Sequence, residues 1–201
     1  MKLSEAERYL CGVDSLLAPI IQANGHVSFS NSSDFFTALS ESIISQQLSV
    51  KASDTIFRRF KEITKLDPKQ ALNLTETQQK EIGLSGQKAR YIRDLAEHFV
   101  NDTAVFDHLD TLSDEGVIAE LTKVKGIGTW TAQMFLMFTL NRPDVFAPDD
   151  LGLQNAIAKV YDLPARPTRA EALQRAEVWA PYRTTACLHL WHLLDNKPSG
   201  S

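Results

Sequence analysis

The chain has 201 residues, of which 43% are hydrophobic and 23% charged, and its formal net charge at pH 7 is −4. This composition is ordinary for a globular protein and excludes a disordered or low-complexity chain. Two cysteines exclude a four-cysteine zinc or iron–sulfur site, and the sequence lacks a run of about 18 apolar residues that would span a membrane. Taken alone, the acidic balance disfavours a nucleic-acid partner.

The start of the chain places Glu5 and Glu7 where a secretory signal needs apolar residues. We therefore expect an intracellular protein with no membrane partner, located in the cytoplasm or nucleoid of a bacterium or in the nucleus of a eukaryote. Residues 199–201 are expected to form a disordered tail.

Hydrophobic residues recur at spacings of three and four along the first half of the chain, which predicts helices. The first follows a polar capping cluster at 31–33. A second begins at Ser49 and ends before Asp67 and Pro68, because a residue that precedes proline is pushed out of the helical region. The next helices are predicted from Thr75 to Gly83, from Ser85 to Val100 and from Ser113 to Thr122.

The second half continues this pattern. The stretch after Gly128 is apolar nearly all round, which indicates a helix buried between others. A turn at 141–144 separates it from a helix that begins behind Pro148. After a proline-containing linker, Thr168 caps another helix, and a last one ends near Leu194. The predicted fold class is all-α, with about ten helices.

Two glycines separated by one residue, Gly126 and Gly128, lie between two predicted helices. Glycine tolerates positive φ and leaves the amides at a helix start bare of side chains. Such a helix start favours a phosphate, and Lys123 and Lys125 would add positive charge. A plain tight turn explains the same glycines, so the motif alone leaves both interpretations open.

Two adjacent carboxylates follow Pro148 at a predicted helix start, Asp149 and Asp150. Neighbouring side chains on a helix point about 100° apart, so we expect one of them to cap the helix and the other to face a cleft. We assign Asp149 as the cap and Asp150 as the site residue. Capping by both carboxylates is the alternative that this segment leaves open.

The sequence from Val124 to Asp150 resembles the helix–hairpin–helix, glycine/proline-rich loop and aspartate signature of the DNA glycosylase superfamily. The resemblance extends over about residues 30 to 195 and is closest to the DNA-3-methyladenine glycosylase II family. It implies the compact helix–hairpin–helix glycosylase fold, one unit of residues 1–198 with two helical lobes, about 34–138 and about 1–33 plus 139–198, and the active-site cleft between them. Five segments carry it: Ser42–Ala52, Gly83–Ala89, Gly126–Ala132, Phe146–Asp150 and Trp179–Ala186.

The resemblance implies a base-excision-repair enzyme that flips an alkylated purine out of duplex DNA and hydrolyses its N-glycosidic bond. Its substrates would include 3-methyladenine and 7-methylguanine, with ethenoadenine as a further candidate, and it would act as a monomer on double-stranded DNA without a cofactor. Bifunctional relatives carry a Schiff-base lysine where this chain has Trp130, which implies hydrolysis without strand cleavage. The alternatives are a non-catalytic helix–hairpin–helix module and a glycosylase for another damaged base.

The same resemblance assigns roles to individual residues. Asp150 would stabilise the positive charge that develops on the deoxyribose. The base pocket would be aromatic, because an alkylated purine is cationic. No metal is required, although the hairpin main chain is compatible with a monovalent cation. The pocket residues would be Trp130, Met134 and Trp191; the DNA wedge Gln47 with Leu48; the hairpin contacts Lys125, Gly126, Ile127, Gly128 and Thr129; and further DNA contacts Gln46, Ser49, Lys51, Ser85 and Lys88.

Ten of the 21 basic residues lie in three windows with a net positive charge, 51–65, 88–93 and 123–125, beside the expected wedge, turn and hairpin. This distribution permits DNA binding despite the net charge and predicts weak non-specific binding with a shallow salt dependence. The five histidines are expected in packing or surface roles. Arg183 is expected to anchor the last helix, and Trp179 to be structural.

Overall fold

The computed structural model describes residues 3–28 and 34–195, so the expected capping cluster at 31–33 and the expected tail at 199–201 lie outside the described residues. Within the described ranges the chain is helical and has no strand, which confirms the all-α prediction. Two short 3-10 helices cover Leu109–Thr111 and Glu177–Trp179. The α-helices are α1 (Glu5–Val13), α2 (Ala18–Asn24), α3 (Phe35–Ser45), α4 (Val50–Thr64), α5 (Pro68–Leu72), α6 (Glu76–Ile82), α7 (Gly86–Asn101), α8 (Thr103–Phe106), α9 (Asp114–Leu121), α10 (Thr129–Phe138), α11 (Leu151–Val160), α12 (Arg169–Ala176) and α13 (Arg183–Asp195).

The described residues divide into two compact units. The middle unit contains 34–140, and the end unit combines 3–28 with 141–195. No helix of these ranges is both long and apolar enough to cross a membrane.

The middle unit is organised around α7, which packs against α3 and α5. Ser85 caps α7 by accepting a hydrogen bond from the Lys88 backbone amide, as Ser and Thr caps do. Phe99 on α7 is buried and stacks edge to face on Phe36 of α3 and Phe106 of α8, with ring centroids 5.3 and 5.1 Å apart. This apolar face fixes α7 and leaves its opposite face in solvent.

The end unit is organised around α13, which packs against α2 and α11. Arg183 at the start of α13 donates two hydrogen bonds of 2.7 Å to Asp144, which confirms it as an anchor of the last helix. This guanidinium lowers the pKa of the Asp144 carboxyl. Trp179 is fully buried and donates its indole N–H to Asp14 at 2.8 Å, so its predicted structural role is also confirmed.

A buried polar cluster joins the first and last helices of the end unit. The Glu7 carboxylate accepts hydrogen bonds from the backbone amides of Ser4 and Val27, and His26 Nδ1 lies 3.1 Å from it. His189 of α13 is fully buried, with Nε2 3.5 Å from Glu7 and Nδ1 3.3 Å from the Asn24 amide nitrogen. No spacing in the sequence indicates this cluster, because its members meet only in the folded chain.

The cluster predicts a loss of stability as the pH falls from about 6.5 to about 4. Burial lowers the pKa of His189 from 6.5 to about 4, so in this interval the unfolded chain binds a proton that the folded chain does not. The free energy of unfolding therefore contains a part that is fully present above pH 6.5 and is lost as the pH approaches 4. This part amounts to about 3 kcal/mol at most. Burial also acts to raise the pKa of Glu7, but the hydrogen bonds from Ser4, Val27 and His26 lower it overall, which adds a loss in the same direction at lower pH.

Thermal unfolding followed by circular dichroism at pH 7, 6, 5 and 4 measures this effect. The control is His108→Gln, because His108 is an exposed histidine of the middle unit and is not part of the cluster, so the pH dependence that the cluster produces should remain. A midpoint temperature that does not change between pH 7 and pH 4 would contradict the prediction.

Candidate active site and nucleic-acid interface

The hairpin between α9 and α10 (Thr122–Gly128) depends on a glycine at Gly126. Its φ is +86°, a conformation that other residues rarely adopt, and a Cβ at this position would lie 2.2 Å from the Tyr91 ring. The Gly126 carbonyl accepts a hydrogen bond of 2.9 Å from the side-chain amide of Gln46. The hairpin is therefore held against α7 by close packing and against the end of α3 by a hydrogen bond.

Gly128 has a different role from that of Gly126. It is the N-cap of α10 with φ −100°, so of the two glycines only Gly126 uses the positive φ that glycine tolerates. Among the described residues no side chain caps α10, and no atom outside the neighbouring residues lies within 4 Å of the place where a Cβ on Gly128 would be. The first turn of α10 therefore begins at an uncovered glycine, at the positive end of the helix dipole, which favours a phosphate.

Lys125 is bound within the middle unit by Asp94 of α7. Its Nζ donates to one carboxylate oxygen at 2.6 Å, and its backbone amide donates to the other at 2.8 Å. Burial acts to raise the pKa of Asp94, but the hydrogen bonds from Lys125 lower it overall. The same pairing raises the pKa of Lys125, whose side chain remains 73% exposed. Its contact with DNA stays a prediction.

The hairpin carbonyls bear on the expected monovalent cation. The Val124 carbonyl accepts a hydrogen bond from the Ile127 amide at 3.1 Å, and the Gly126 carbonyl accepts the one from Gln46. Both oxygens retain a second lone pair, so the main chain fits a weakly held cation, and this site stays a prediction. Among the described residues, no group of three or more His, Cys, Asp or Glu is arranged to hold a metal ion.

The α3–α4 turn (Gln46–Ser49) carries the two expected wedge residues. Gln47 has φ +58° in the left-handed region, and its side chain is exposed, while Leu48 is 40% exposed. Ser49 caps α4 by accepting a hydrogen bond from the Ala52 amide. The turn therefore presents Gln47 and Leu48 to solvent between two well-anchored helix ends.

Lys88 supports this turn from α7. Its Nζ donates to the carbonyls of Ile44 and Gln46, at 2.5 and 2.8 Å. These are unsatisfied carbonyls at the C-terminal end of α3, so the ammonium group takes the place of a helix C-cap. Burial lowers the pKa of Lys88. Its expected DNA contact stays a prediction, but the geometry gives it an internal role that the sequence did not indicate.

We expect Lys88→Met to reduce the free energy of unfolding by about 1–3 kcal/mol, because two carbonyls lose a charged donor. The control is Lys61→Met on α4, where the side chain is exposed and the change should cost less than about 0.5 kcal/mol. Urea unfolding measures both variants. In a DNA titration, a phosphate contact by Lys88 would in addition reduce the salt slope by about 1. Equal stability of the two variants would contradict the supporting role.

The remaining expected DNA contacts of the middle unit lie on its surface. Trp130 in the first turn of α10 is 48% exposed, and Met134 lies one helical turn later on the same face. Lys51 is exposed in the first turn of α4, and Ser85 caps α7. Trp130 thus exposes part of a large aromatic side chain in the first turn of α10.

Asp150 in the end unit is itself the N-cap of α11, which corrects the assignment of that role to Asp149. Its Oδ1 accepts a hydrogen bond of 2.7 Å from the Leu153 amide, and α11 begins one residue later than expected. Asp149 instead pairs with Arg169 of α12. The expectation that Asp149 is the helix cap is therefore wrong, and the site role of Asp150 stays a prediction.

The Asp150 carboxylate is held by a second donor. The indole N–H of Trp191 on α13 donates to the same Oδ1 at 3.0 Å. Gly152 makes room for this contact, because a Cβ there would lie 3.0 Å from the carboxylate and 3.3 Å from the indole. Two elements of the fold thus converge on one carboxylate and fix its position.

The segment before Asp150 is anchored to α13 as well. The Val145 amide donates to the Thr184 hydroxyl, and the Thr184 amide donates to the Pro143 carbonyl, both at 3.0 Å. Together with the Arg183 contacts, these bonds hold the chain from 143 to 150 against the helix that carries Trp191. The carboxylate therefore lies on a rigid support.

Comparison with known proteins identifies this arrangement. The family model described as HhH-GPD superfamily base excision DNA repair protein matches residues 41–181, which include the α3–α4 turn, the hairpin and Asp150. The chain belongs to this superfamily. The helix–hairpin–helix element of the HhH-GPD fold corresponds here to α9, the hairpin and α10.

Relatives within the HhH-GPD superfamily match nearly the whole chain. DNA-3-methyladenine glycosylase 1 of Schizosaccharomyces pombe is 32% identical over 197 residues, which cover 94% of this chain and 86% of the relative. The solved structure of a 3-methyladenine DNA glycosylase of the same yeast in complex with abasic DNA has a TM-score of 0.84 at 30% identity and covers 98% of this chain and 100% of that one. A DNA-3-methyladenine glycosidase structure from Bacillus halodurans has a TM-score of 0.87 at 33% identity, with 96% and 90% coverage.

Several residues that shape this HhH-GPD site were missed from the sequence. Tyr91 and Asp94 contact the hairpin from α7, and their spacing of three residues on one helix face was a usable signal. Asp144 and Arg169 gave no such signal, because their partners lie far along the chain.

Proposed function

We propose that the protein is a monofunctional DNA glycosylase that excises alkylated purines from duplex DNA and leaves an abasic site. The observation that carries this proposal is the Asp150 carboxylate, fixed at the start of α11 by the Leu153 amide and the Trp191 indole. The named activity of the relatives supports the same substrate class. A module that only bound DNA would need the hairpin but no such carboxylate.

In the proposed reaction, the bond between deoxyribose C1′ and the purine nitrogen breaks, and its electron pair leaves with the base. A purine methylated at N3 or N7 already carries a positive charge, so it departs as a neutral molecule and needs no separate acid. The sugar becomes oxocarbenium-like, and the Asp150 carboxylate stabilises this charge. Water then adds to C1′ and loses a proton, which gives the abasic sugar. The Leu153 amide and the Trp191 indole hold the Asp150 carboxylate in place, so it does not need to rearrange during the reaction.

DNA binding is assigned to the middle unit. The amides at the start of α10 would donate hydrogen bonds to a backbone phosphate, with hairpin residues Lys125 to Thr129 around it. Gln47 and Leu48 would enter the stack that the flipped nucleotide vacates, and their exposure on a firmly held turn supports that role. Lys51, Ser49 and Ser85 would contact the backbone nearby.

Base recognition is assigned to aromatic side chains. An exposed indole such as Trp130 attracts a cationic purine by about 1–2 kcal/mol once water is displaced, and Met134 would adjust the fit. For Trp191 we propose positioning of Asp150 in addition to contact with the base, since its N–H is engaged by the carboxylate.

The residue types near the hairpin support hydrolysis without strand cleavage. A Schiff-base mechanism needs a neutral lysine, and this chain has Trp130 at the position where bifunctional members of the superfamily carry that lysine. The nearest alternative, Lys125, has its pKa raised by the pairing with Asp94, so it stays protonated and is a poor nucleophile.

Duplexes that each contain one defined base test this proposal: 7-methylguanine, 3-methyladenine, ethenoadenine, 8-oxoguanine or undamaged guanine. We expect release of the alkylated bases and strand breakage only after alkali treatment. Release of 8-oxoguanine alone would favour the alternative of another damaged base, and release of none would favour the non-catalytic module. Strand breakage without alkali would contradict the monofunctional assignment.

A further inference from the structure

A groove between α6 and α7 of the middle unit is lined by three basic side chains. It has a volume of about 630 Å³, and Lys80 of α6 faces it together with Arg90 and Arg93 of α7. Glu76 is the carboxylate of its lining. All three basic side chains are exposed, and in the part of the chain that the structure describes none of them makes an ion pair. The groove therefore carries uncompensated positive charge.

Its position relative to the α3–α4 turn follows from the helical repeat of α7. Residues 86, 89, 90 and 93 line the groove, whereas 85, 87, 88 and 91 line a separate pocket that also contains Gln47 and Leu48. The two surfaces thus adjoin along one helix. Arg90 and Arg93 lie four and seven residues beyond Gly86, about 6 and 10 Å along the helix axis.

Two lysines outside the groove, Lys88 and Lys125, are engaged by internal contacts, which makes the charge of the groove more important for binding an anion. Lys88 is engaged by carbonyls of the α3 end and Lys125 by Asp94, so neither has its full charge available to a ligand. Arginine binds phosphate oxygens in a bidentate manner, and two arginines one turn apart suit successive phosphates.

We propose that the α6–α7 groove binds the sugar–phosphate backbone of the duplex beside the α3–α4 turn. This inference rests on the proposed action on DNA and adds a backbone contact to those proposed at the hairpin and near the turn. An acidic peptide is the competing occupant. Its binding would need exposed apolar anchor sites. Of the apolar lining residues, Leu74 and Ala89 are buried and Leu84 is half-buried, and no exposed large hydrophobic residue belongs to the groove.

The test compares two triple variants of equal charge change. In the groove variant, Lys80, Arg90 and Arg93 are each replaced by Gln; in the control variant, Lys61, Lys69 and Lys159, which are exposed and outside the groove, are each replaced by Gln. Binding to an undamaged labelled duplex is measured by fluorescence anisotropy over a range of salt concentrations. We expect the groove variant to reduce the slope of log K against log salt by about 2–3 and to weaken binding at least about tenfold at low salt. The control variant should change the slope by less than about 1.

A slope that is equal in the two triple variants would overturn the proposal, whether the groove is empty or takes an acidic peptide. The double variant Arg90→Lys/Arg93→Lys keeps the charge, so it should retain most of the salt slope. It therefore distinguishes loss of charge from misfolding of the triple groove variant. Binding to undamaged DNA does not depend on excision. A wild-type protein that binds with the expected slope but excises nothing would therefore refute the proposed function and leave the groove assignment standing.

Discussion

Asp150→Asn is expected to slow excision of 7-methylguanine at least about 100-fold while leaving the fold and DNA binding in place. Both donors, the Leu153 amide and the Trp191 indole, bind the same oxygen, Oδ1. An asparagine with its carbonyl oxygen at that position keeps both hydrogen bonds and the helix cap. The substitution therefore removes the negative charge and keeps these two hydrogen bonds, which separates an electrostatic role from the capping role.

Single-turnover excision with enzyme in excess measures this effect, and anisotropy with a duplex containing an abasic site checks binding. The matched control is Asp149→Asn, which breaks an exposed ion pair with Arg169 and should leave both the excision rate and the stability nearly unchanged. An Asp150→Asn protein that excises at the wild-type rate would show that this carboxylate is only a helix cap.

Gly126→Ala is expected to disrupt the hairpin and to lower the free energy of unfolding by about 2–4 kcal/mol. The added methyl group would overlap the Tyr91 ring, and the φ of +86° is strained for any residue with a Cβ. DNA binding should fall with it, because the Gln46 contact and the start of α10 depend on this turn.

Gly128→Ala is the matched comparison two residues away. Its φ is −100° and the space around its Cβ is open, so its stability should stay within about 0.5 kcal/mol of wild type, whereas phosphate would meet the new methyl group and DNA affinity should fall. Tyr91→Ala combined with Gly126→Ala should recover the part of the loss that is due to overlap. A Gly126→Ala protein as stable as Gly128→Ala would contradict the steric argument.

The predictions from sequence succeeded where the determinants are local. Ser49, Thr75, Ser85, Ser113 and Thr168 each begin a helix at the expected place, because a hydroxyl capping an amide three residues later needs no distant partner. α1 carries the same signal, a capping box of Ser4 and Glu7, and was overlooked. The short helices α5 and α8 were also missed, since four or five residues give no periodicity.

The errors at the site have a common physical cause. Asp149 and Asp150 have the same local chemistry, and only distant partners, Arg169 for one and Trp191 for the other, distinguish them. Lys88 carries a charge that suits DNA equally well from sequence alone, but α7 brings it to the end of α3. Side chains whose partners lie 20 to 44 residues away are thus assigned by the fold, although the family resemblance still identified the catalytic candidate.

The contacts of Asp14 have a consequence for synthesis on the ribosome. This carboxylate near the start of the chain holds Trp179 and Tyr161, and Glu7 meets His189, so the end unit cannot complete its core until its last helix has been translated. The middle unit is one continuous stretch of chain, and its contacts can form earlier. We therefore expect the hairpin of the middle unit to fold before the carboxylate of Asp150 reaches its final position, which requires that α13 has emerged from the ribosome.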